Sequence, residues 1–322
     1  MKTLIQFLSW SGLVLSANLV AQEKVTAQQF VDLQEGNKPF AGFRRAHAKG
    51  ACITGEFVSN GALAPYTKAT LFEAGTTAFV GRFSIAGSNP TAPDLKAPVR
   101  SLALSFNLSS TEQWRIAMNT PPAMAVTNAH DFYQQIVAIK QGPDAIKAFF
   151  NEHPESKYFL NWKASYTPSS SFALEQYNSI NAFYLIDNQN NKHAVRWHVM
   201  PSDNTPNTLS NSDNALFDEL ASRLASGPVS FNWVFTLASD GDDETNPAVI
   251  WPSSRKQVSA GVLKIKTIDA SEGARCHDIN FDPLTLPTGI VATQDPILNA
   301  RSAAYAESYR RRAKEKLLEA LK

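Results

Sequence analysis

A tyrosine and an arginine stand four residues apart near the C-terminal end of the chain, in a segment with a helical pattern. Arg301 and Tyr305 would share one helix face, and Arg312 follows seven residues later on the same stripe. The residues around Tyr305 are mostly alanine and serine, which leaves room for a large flat group. A neighbouring guanidinium favours the phenolate, a suitable ligand for ferric iron. The alternative is a tyrosine packed in an ordinary helix interface.

A histidine stands between positively charged residues in the segment 42–51. His47 has Arg45 before it and Lys49 after it. Positive neighbours disfavour the imidazolium form, so this histidine is expected to be neutral and able to accept a proton. The alternative is a histidine with a structural role only.

Helices and strands must bring these two segments together. A capping box at Thr26–Gln29 predicts that a first helix begins there. Runs of β-branched and aromatic residues predict strands at 51–58, 76–85, 100–108, 179–187, 193–200, 230–239 and 260–268. Helical spacing predicts helices at 130–140 and 144–151, near 214–225, and from Pro296 to the C-terminal end. Strands with helices inserted between and after them favour one α+β domain built on an antiparallel sheet or barrel.

The overall composition excludes some classes of protein. The chain has 322 residues, 43% of them hydrophobic, and a formal net charge of +1. The balance of charges argues against binding to nucleic acid or anionic membranes through bulk electrostatics. No Gly/Ser or Pro linker and no internal repeat divides the sequence.

The first residues have the pattern of a secretory signal. Residues 1–21 carry Lys2, an interrupted apolar stretch and a small residue at the end, Ala21. We therefore expect a signal peptide at 1–21, a mature single domain at 22–322 and export to the periplasm; an uncleaved anchor is the alternative. In an oxidising compartment Cys52 and Cys276 could pair, but their spacing does not decide the matter.

Several segments in order resemble the haem catalase superfamily, and most of all its short exported branch, the catalase-related peroxidases. The segments are Arg44-Arg45-Ala46-His47-Ala48-Lys49-Gly50, Gly81-Arg82-Phe83-Ser84, Asn119-Thr120-Pro121, Trp251-Pro252, Phe281-Asp282-Pro283 and the stretch from Arg301 through Tyr305 to Arg312. Each motif is modest alone, but together they cover nearly the whole mature chain. The resemblance implies a catalase-like antiparallel β-barrel with inserted and C-terminal helices.

The resemblance also implies a haem b cofactor and a role for each matching residue. Tyr305 would ligate the haem iron, with Arg301 bonded to its oxygen. His47 would be the acid–base group, steadied by Ser84, and Asn119 would bind the peroxide. The propionates of the haem would be held by arginines, namely Arg44, Arg82 and Arg312.

The implied activity is that of a peroxidase. It would reduce hydrogen peroxide or organic peroxides with a small organic electron donor and have weak catalase activity. Ser253 follows Trp251-Pro252 where larger catalases carry a histidine linked to NADPH binding, so NADPH is not expected. A hydroperoxide isomerase or dehydratase on the same fold, or an exported haem-binding protein without activity, are the alternatives. The reductant and the oligomeric state stay open.

Overall fold

Ten antiparallel strands form one sheet in the computed structural model, which describes residues 24–321. The strands are β1 (Gly50–Ser59), β2 (Gly75–Ile85), β3 (Arg100–Asn107), β4 (Gln113–Asn119), β5 (Tyr177–Asn178), β6 (Phe183–Ile186), β7 (Lys192–Pro201), β8 (Val229–Leu237), β9 (Gln257–Asp269) and β10 (Ile290–Ala292). The signal peptide expected at 1–21 lies outside the described residues.

The sheet closes on itself. Strands β1 to β4 pair in sequence order, β4 continues through β5 to β7, and the ring returns through β8 and β9 to β1. This gives a closed eight-stranded barrel, with β6 and β10 added at the side of β7. The predicted α+β class with an antiparallel barrel is confirmed.

The strands alternate between two different faces. On β3 and β4 the side chains of Leu102, Leu104, Trp114 and Ile116 are buried inside the barrel. Successive residues of a strand point to opposite faces, so the residues between them lie on the outer wall. This alternation places Asn119 and its neighbours outside the aromatic core, on the face where helices pack.

Six α-helices complete the fold of residues 24–321. They are α1 (Ala27–Glu35), α2 (Ala129–Gln141), α3 (Pro143–Glu152), α4 (Lys157–Ser165), α5 (Ala215–Ser226) and α6 (Pro296–Ala320). Helix α1 begins with the predicted capping box, and α6 begins where Asp295 accepts hydrogen bonds from the amides of Ile297 and Leu298. Helix α6 packs against α1 and α2. No helix in the described part of the chain is long and apolar enough to cross a membrane.

Some elements were not among the sequence predictions. Strands β4, β5 and β10 and helix α4 are additional, and β6 is shorter than the predicted 179–187. Strand β5 has two residues and β10 three, too few to show a period. Helix α4 has no side-chain cap at its start, so the usual marker of a helix beginning is missing.

A disulfide bond joins the barrel to a loop on its outer face. Cys52 of β1 is bonded to Cys276 in a short 3-10 helix, Arg275–Asp278, with the Cα atoms 5.4 Å apart. Residues Ala274 and Phe281 pack around the bond. The cross-link therefore holds the loop that leads towards α6 against the barrel wall.

We predict that replacing both cysteines, Cys52→Ala with Cys276→Ala, lowers the free energy of unfolding by about 2–5 kcal/mol, because the bond closes a long loop in the unfolded chain. Urea unfolding would measure this loss. Wild type treated with a reductant should match the double variant, and the reductant should not affect the double variant. Equal stability of wild type and double variant under oxidising conditions would contradict the prediction.

Candidate functional site

A large cavity lies between the outer wall of the barrel and helix α6. It contains about 1240 Å³ of space, including its opening to solvent. Its lining includes every predicted site residue: Arg44, His47, Arg82, Ser84, Asn119, Arg301, Tyr305 and Arg312. These residues come from the loop before β1, from β2 and β4, and from α6, so the fold brings together segments separated by more than half of the chain.

The backbone of His47 is held in an unfavourable conformation. Its φ angle is 55°, in the left-handed region that costs a non-glycine residue on the order of 1 kcal/mol. Arg82 holds this turn by donating hydrogen bonds to the carbonyl oxygens of His47 (2.9 Å) and Ala48 (3.0 Å). Gly50 leaves room for the guanidinium, since a Cβ there would lie 2.4 Å from Arg82 Cζ. The turn thus directs the imidazole towards the cavity.

The imidazole of His47 is strongly disfavoured as a cation. Removal from solvent, followed by the charges of Arg82, Arg301 and Arg44, lowers the pKa of His47 to about 4. The ring is therefore neutral at physiological pH, as the sequence predicts.

The cations responsible are not those adjacent in sequence. Arg45 turns away and pairs with Glu35 and Glu315, and the ammonium of Lys49 lies 2.7 Å from a carboxylate oxygen of Asp94. The charges of Arg45 and Lys49 are compensated, so the charge effect on the pKa of His47 comes from the uncompensated arginines of the cavity.

The hydroxyl that contacts His47 belongs to Ser101. Ser101 Oγ lies 3.2 Å from His47 Nδ1 and donates to Asn119 Oδ1 at 2.5 Å. The resemblance implies Ser84 for this contact, but Ser84 Oγ has no hydrogen-bond partner within residues 24–321, although it lines the cavity. Ser84, Ser101 and Asn119 are directly paired across β2, β3 and β4. The pairing of the strands is what identifies Ser101 as the serine in contact with His47.

Three arginines of the cavity have no carboxylate within ion-pairing distance among the described residues. They are Arg44, Arg82 and Arg312. Arg82 and Arg312 are each 3% exposed, while Arg44 faces the cavity and donates to the carbonyl oxygens of Cys276 and Ile279. Burial and mutual repulsion lower the pKa of Arg82 to about 9 and that of Arg44 well below its usual value. Nη2 of Arg312 and Nε of Arg82 are buried without a hydrogen-bond partner.

Arg301 is held by residues other than Tyr305. It donates to Asn181 Oδ1 and to the carbonyl oxygen of Ala117, and Asn181 in turn donates to Asp295 at 2.6 Å. Its guanidinium carbon lies 6.0 Å from the centre of the Tyr305 ring. The implied bond from Arg301 to the phenol oxygen is thus replaced here by a looser contact with the ring.

The wall of small residues on α6 differs in detail from the prediction. Ala300, Ala304 and Ser308 line the cavity beside Tyr305, whereas Ala303 and Ala306 are exposed. Other parts of the lining are apolar and include Met124, Phe132 and Ile180, together with Ile297 of α6 itself. The cavity therefore combines a cationic side with an apolar side.

Comparison with known proteins gives the family. The family model "Catalase" matches residues 28–221, which include His47, Arg82 and Asn119 but not α6. A catalase-related peroxidase of Synechococcus elongatus is 36% identical over 90% of this chain and 89% of its own length. A second catalase-related peroxidase, from Mycolicibacterium paratuberculosis, is 27% identical over 84% of this chain and 89% of its own. The chain belongs to the catalase family, and these two relatives that share nearly its full length are both catalase-related peroxidases.

Larger catalases share the same core. Rat catalase is 25% identical over 84% of this chain, which spans only 56% of the length of the rat protein. A fungal catalase structure superposes with a TM-score of 0.74 at 16% identity, covering 86% of this chain and 60% of its own. A bacterial catalase structure gives a TM-score of 0.73 at 18% identity, covering 97% and 67%. The barrel and its helices are thus the fold of the catalases.

We predict that His47 makes the fold less stable in acid. Its folded-state pKa of about 4 lies below the unfolded value of 6.5, so the unfolded chain binds the extra proton between these pH values. The free energy of unfolding should therefore fall as the pH drops from about 6.5 to 4, with His47 contributing about 3 kcal/mol. Urea unfolding of wild type and His47→Gln across this range would show a shallower pH dependence in the variant. Parallel curves would contradict the assigned pKa.

Proposed function

We propose that this protein is a haem-dependent peroxidase that reduces hydrogen peroxide or organic peroxides with a small organic electron donor. The observation that carries the proposal is one cavity lined by a neutral histidine, an asparagine and a tyrosine, and bordered by uncompensated arginines. The names of the two near-full-length relatives, both catalase-related peroxidases, support the same activity.

The cationic side of the cavity fits the propionates of a haem b. Arg44, Arg82 and Arg312 lack carboxylate partners in residues 24–321, and Arg312 has a buried nitrogen with no acceptor. Buried charges of one sign are costly unless a ligand of opposite sign pairs with them. Two carboxylates of a ligand would offset that cost and would give the planar guanidinium groups bidentate partners.

The remaining lining fits the body and the metal of the same cofactor. Ala300, Ala304 and Ser308 leave α6 smooth beside Tyr305, and Met124, Phe132 and Ile180 add apolar lining from other segments. Tyr305 would hold the metal through its phenol oxygen, and the guanidinium of Arg301 lies near its ring. A bound haem would supply the electrons for cleavage of the O–O bond.

Residues of the protein would then transfer the protons. His47 is neutral and its Nδ1 is engaged with Ser101, so Nε2 accepts the proton from one peroxide oxygen. The same Nε2–H donates that proton to the other oxygen, which leaves as water or as an alcohol. Asn119, whose Oδ1 accepts a hydrogen bond from Ser101, uses its NH₂ group to hold the peroxide without competing for the proton.

The proposal also covers substrates and cellular location. The apolar wall formed by Met124, Phe132 and Ile297 suits the alkyl group of an organic peroxide as well as hydrogen peroxide. We propose an organic donor as the main reductant and only weak catalase activity, in keeping with the name of the two near-full-length relatives. The signal peptide expected from the sequence supports a periplasmic location for this activity.

We predict that Tyr305→Phe abolishes stable haem binding, because it removes the only oxygen atom that this side chain can offer as a ligand. The absorbance of the haem Soret band relative to protein would measure occupancy. Tyr158→Phe on α4, outside the cavity lining, is the matched control and should bind haem like wild type. Full occupancy in Tyr305→Phe would overturn the assignment of the ligand.

We predict that His47→Ala keeps the haem but reacts with peroxide about 10²–10⁴-fold more slowly, the usual contribution of a positioned acid–base group. Stopped-flow absorbance of the haem after mixing with hydrogen peroxide would give the rate constant. His193→Ala, whose histidine pairs with Asp187 away from the cavity, should behave like wild type. A rate constant within a few-fold of wild type in His47→Ala would exclude histidine as the proton acceptor.

A further inference from the structure

We propose that Ser101 is a positioning residue whose single hydroxyl sets the tautomer of His47 and the orientation of the Asn119 amide together. The proposal deepens the proposed function, because it rests on His47 acting as the proton acceptor. It concerns a serine on β3, not the serine of β2 that the sequence resemblance points to.

The geometry places Ser101 between the two side chains. Strand β3 lies between β2 and β4, and Ser101 is paired directly with Asn119 on one side and with Ser84 on the other. Ser101 is 8% exposed, and its Oγ lies 2.5 Å from Asn119 Oδ1 and 3.2 Å from His47 Nδ1. One hydroxyl therefore contacts both of the polar groups that face the proposed substrate.

The direction of the hydrogen bonds follows from the donors available. A hydroxyl has one proton, and a carbonyl-type oxygen such as Asn119 Oδ1 can only accept. Ser101 therefore donates to Asn119 and must accept from His47, so Nδ1 of His47 carries the proton. The lone pair of this neutral imidazole is then on Nε2, the nitrogen left for the substrate.

The same bond determines the orientation of Asn119. With Oδ1 engaged by Ser101, the NH₂ group is the part of the amide left to donate into the cavity. The reverse arrangement, with Asn119 donating to Ser101 and Ser101 donating to His47, would put the histidine proton on Nε2. That tautomer cannot accept a proton from peroxide, so the direction of the Ser101 bond decides whether the site can work.

The contrast with Ser84 supports this assignment. Ser84 is equally buried and lies next to Ser101 in the sheet, yet its hydroxyl has no hydrogen-bond partner in residues 24–321. Ser105 offers a further comparison, because it lies on the same strand and outer face as Ser101 but does not line the cavity. Ser105 is therefore a suitable control for loss of a buried serine hydroxyl from β3.

Nitrogen NMR of histidine tests the proposal directly. The full chain with ¹⁵N-labelled histidine would be studied both without cofactor and with zinc protoporphyrin, a diamagnetic substitute, with His47→Gln used to assign the signals. In wild type we expect the proton on Nδ1 and an unprotonated Nε2. Ser101→Ala should shift His47 towards the Nε2–H tautomer, Ser101→Thr should restore the wild-type pattern, and Ser105→Ala should not change it.

Kinetics on the haem-loaded protein give the second readout. We expect Ser101→Ala to slow the reaction with peroxide by roughly 10- to 100-fold, a part of the acid–base contribution, and Ser101→Thr to recover most of it. Wild type with the proton on Nε2, or a Ser101→Ala variant with the wild-type tautomer, would overturn the positioning role. If the tautomer responds as expected but His47→Ala reacts as fast as wild type, the role of Ser101 stands and the proposed function fails.

Discussion

The concentration of uncompensated positive charge in one cavity is the constraint on which the rest of the site depends. Arg44, Arg82 and Arg312 line the cavity together without carboxylate partners in the described part of the chain, and burial, with repulsion among them, lowers the pKa values of Arg44 and Arg82. Burial and the charges of Arg82, Arg301 and Arg44 also keep His47 neutral. Such an arrangement is costly in a protein without a ligand, and under the proposed function it would create both an anion site and a proton acceptor.

The fold has to hold these charges in place, and it does so mainly with backbone carbonyls. Arg82 bonds to the carbonyl oxygens of His47 and Ala48, and Arg44 to those of Cys276 and Ile279. The disulfide from Cys276 to the barrel fixes the second of these loops. Carbonyl dipoles partly compensate the guanidinium groups while leaving part of their charge directed at the cavity. The closed barrel, with its aromatic interior, supplies a rigid wall for this arrangement.

Sequence patterns predicted much of the fold, and the residues singled out by the family resemblance line one cavity. The alternating runs predicted β1, β2, β3, β7, β8 and β9 within a few residues, and the capping box marked the start of α1. They did not identify β5 or β10, which are too short to show a period. The neutrality of His47 was predicted from Arg45 and Lys49, yet both of these are paired with carboxylates, and burial together with Arg82, Arg301 and Arg44 has the effect. Local charge patterns do not show which cations will be compensated.

The sequence by itself determined the types of group available: a histidine in a cationic segment, an asparagine in an Asn-Thr-Pro motif, and Arg301 four residues before Tyr305 on one helix. Only the tertiary structure decided how they are connected. Strand register places Ser101 between His47 and Asn119, and the packing of α6 on the barrel directs Arg301 to Asn181. The physical reason is that a hydrogen bond forms only when donor and acceptor, here from segments far apart in the chain, lie within a few tenths of an ångström of their preferred separation. Such distances are set by the packing of the whole barrel, and no local pattern of residues encodes them.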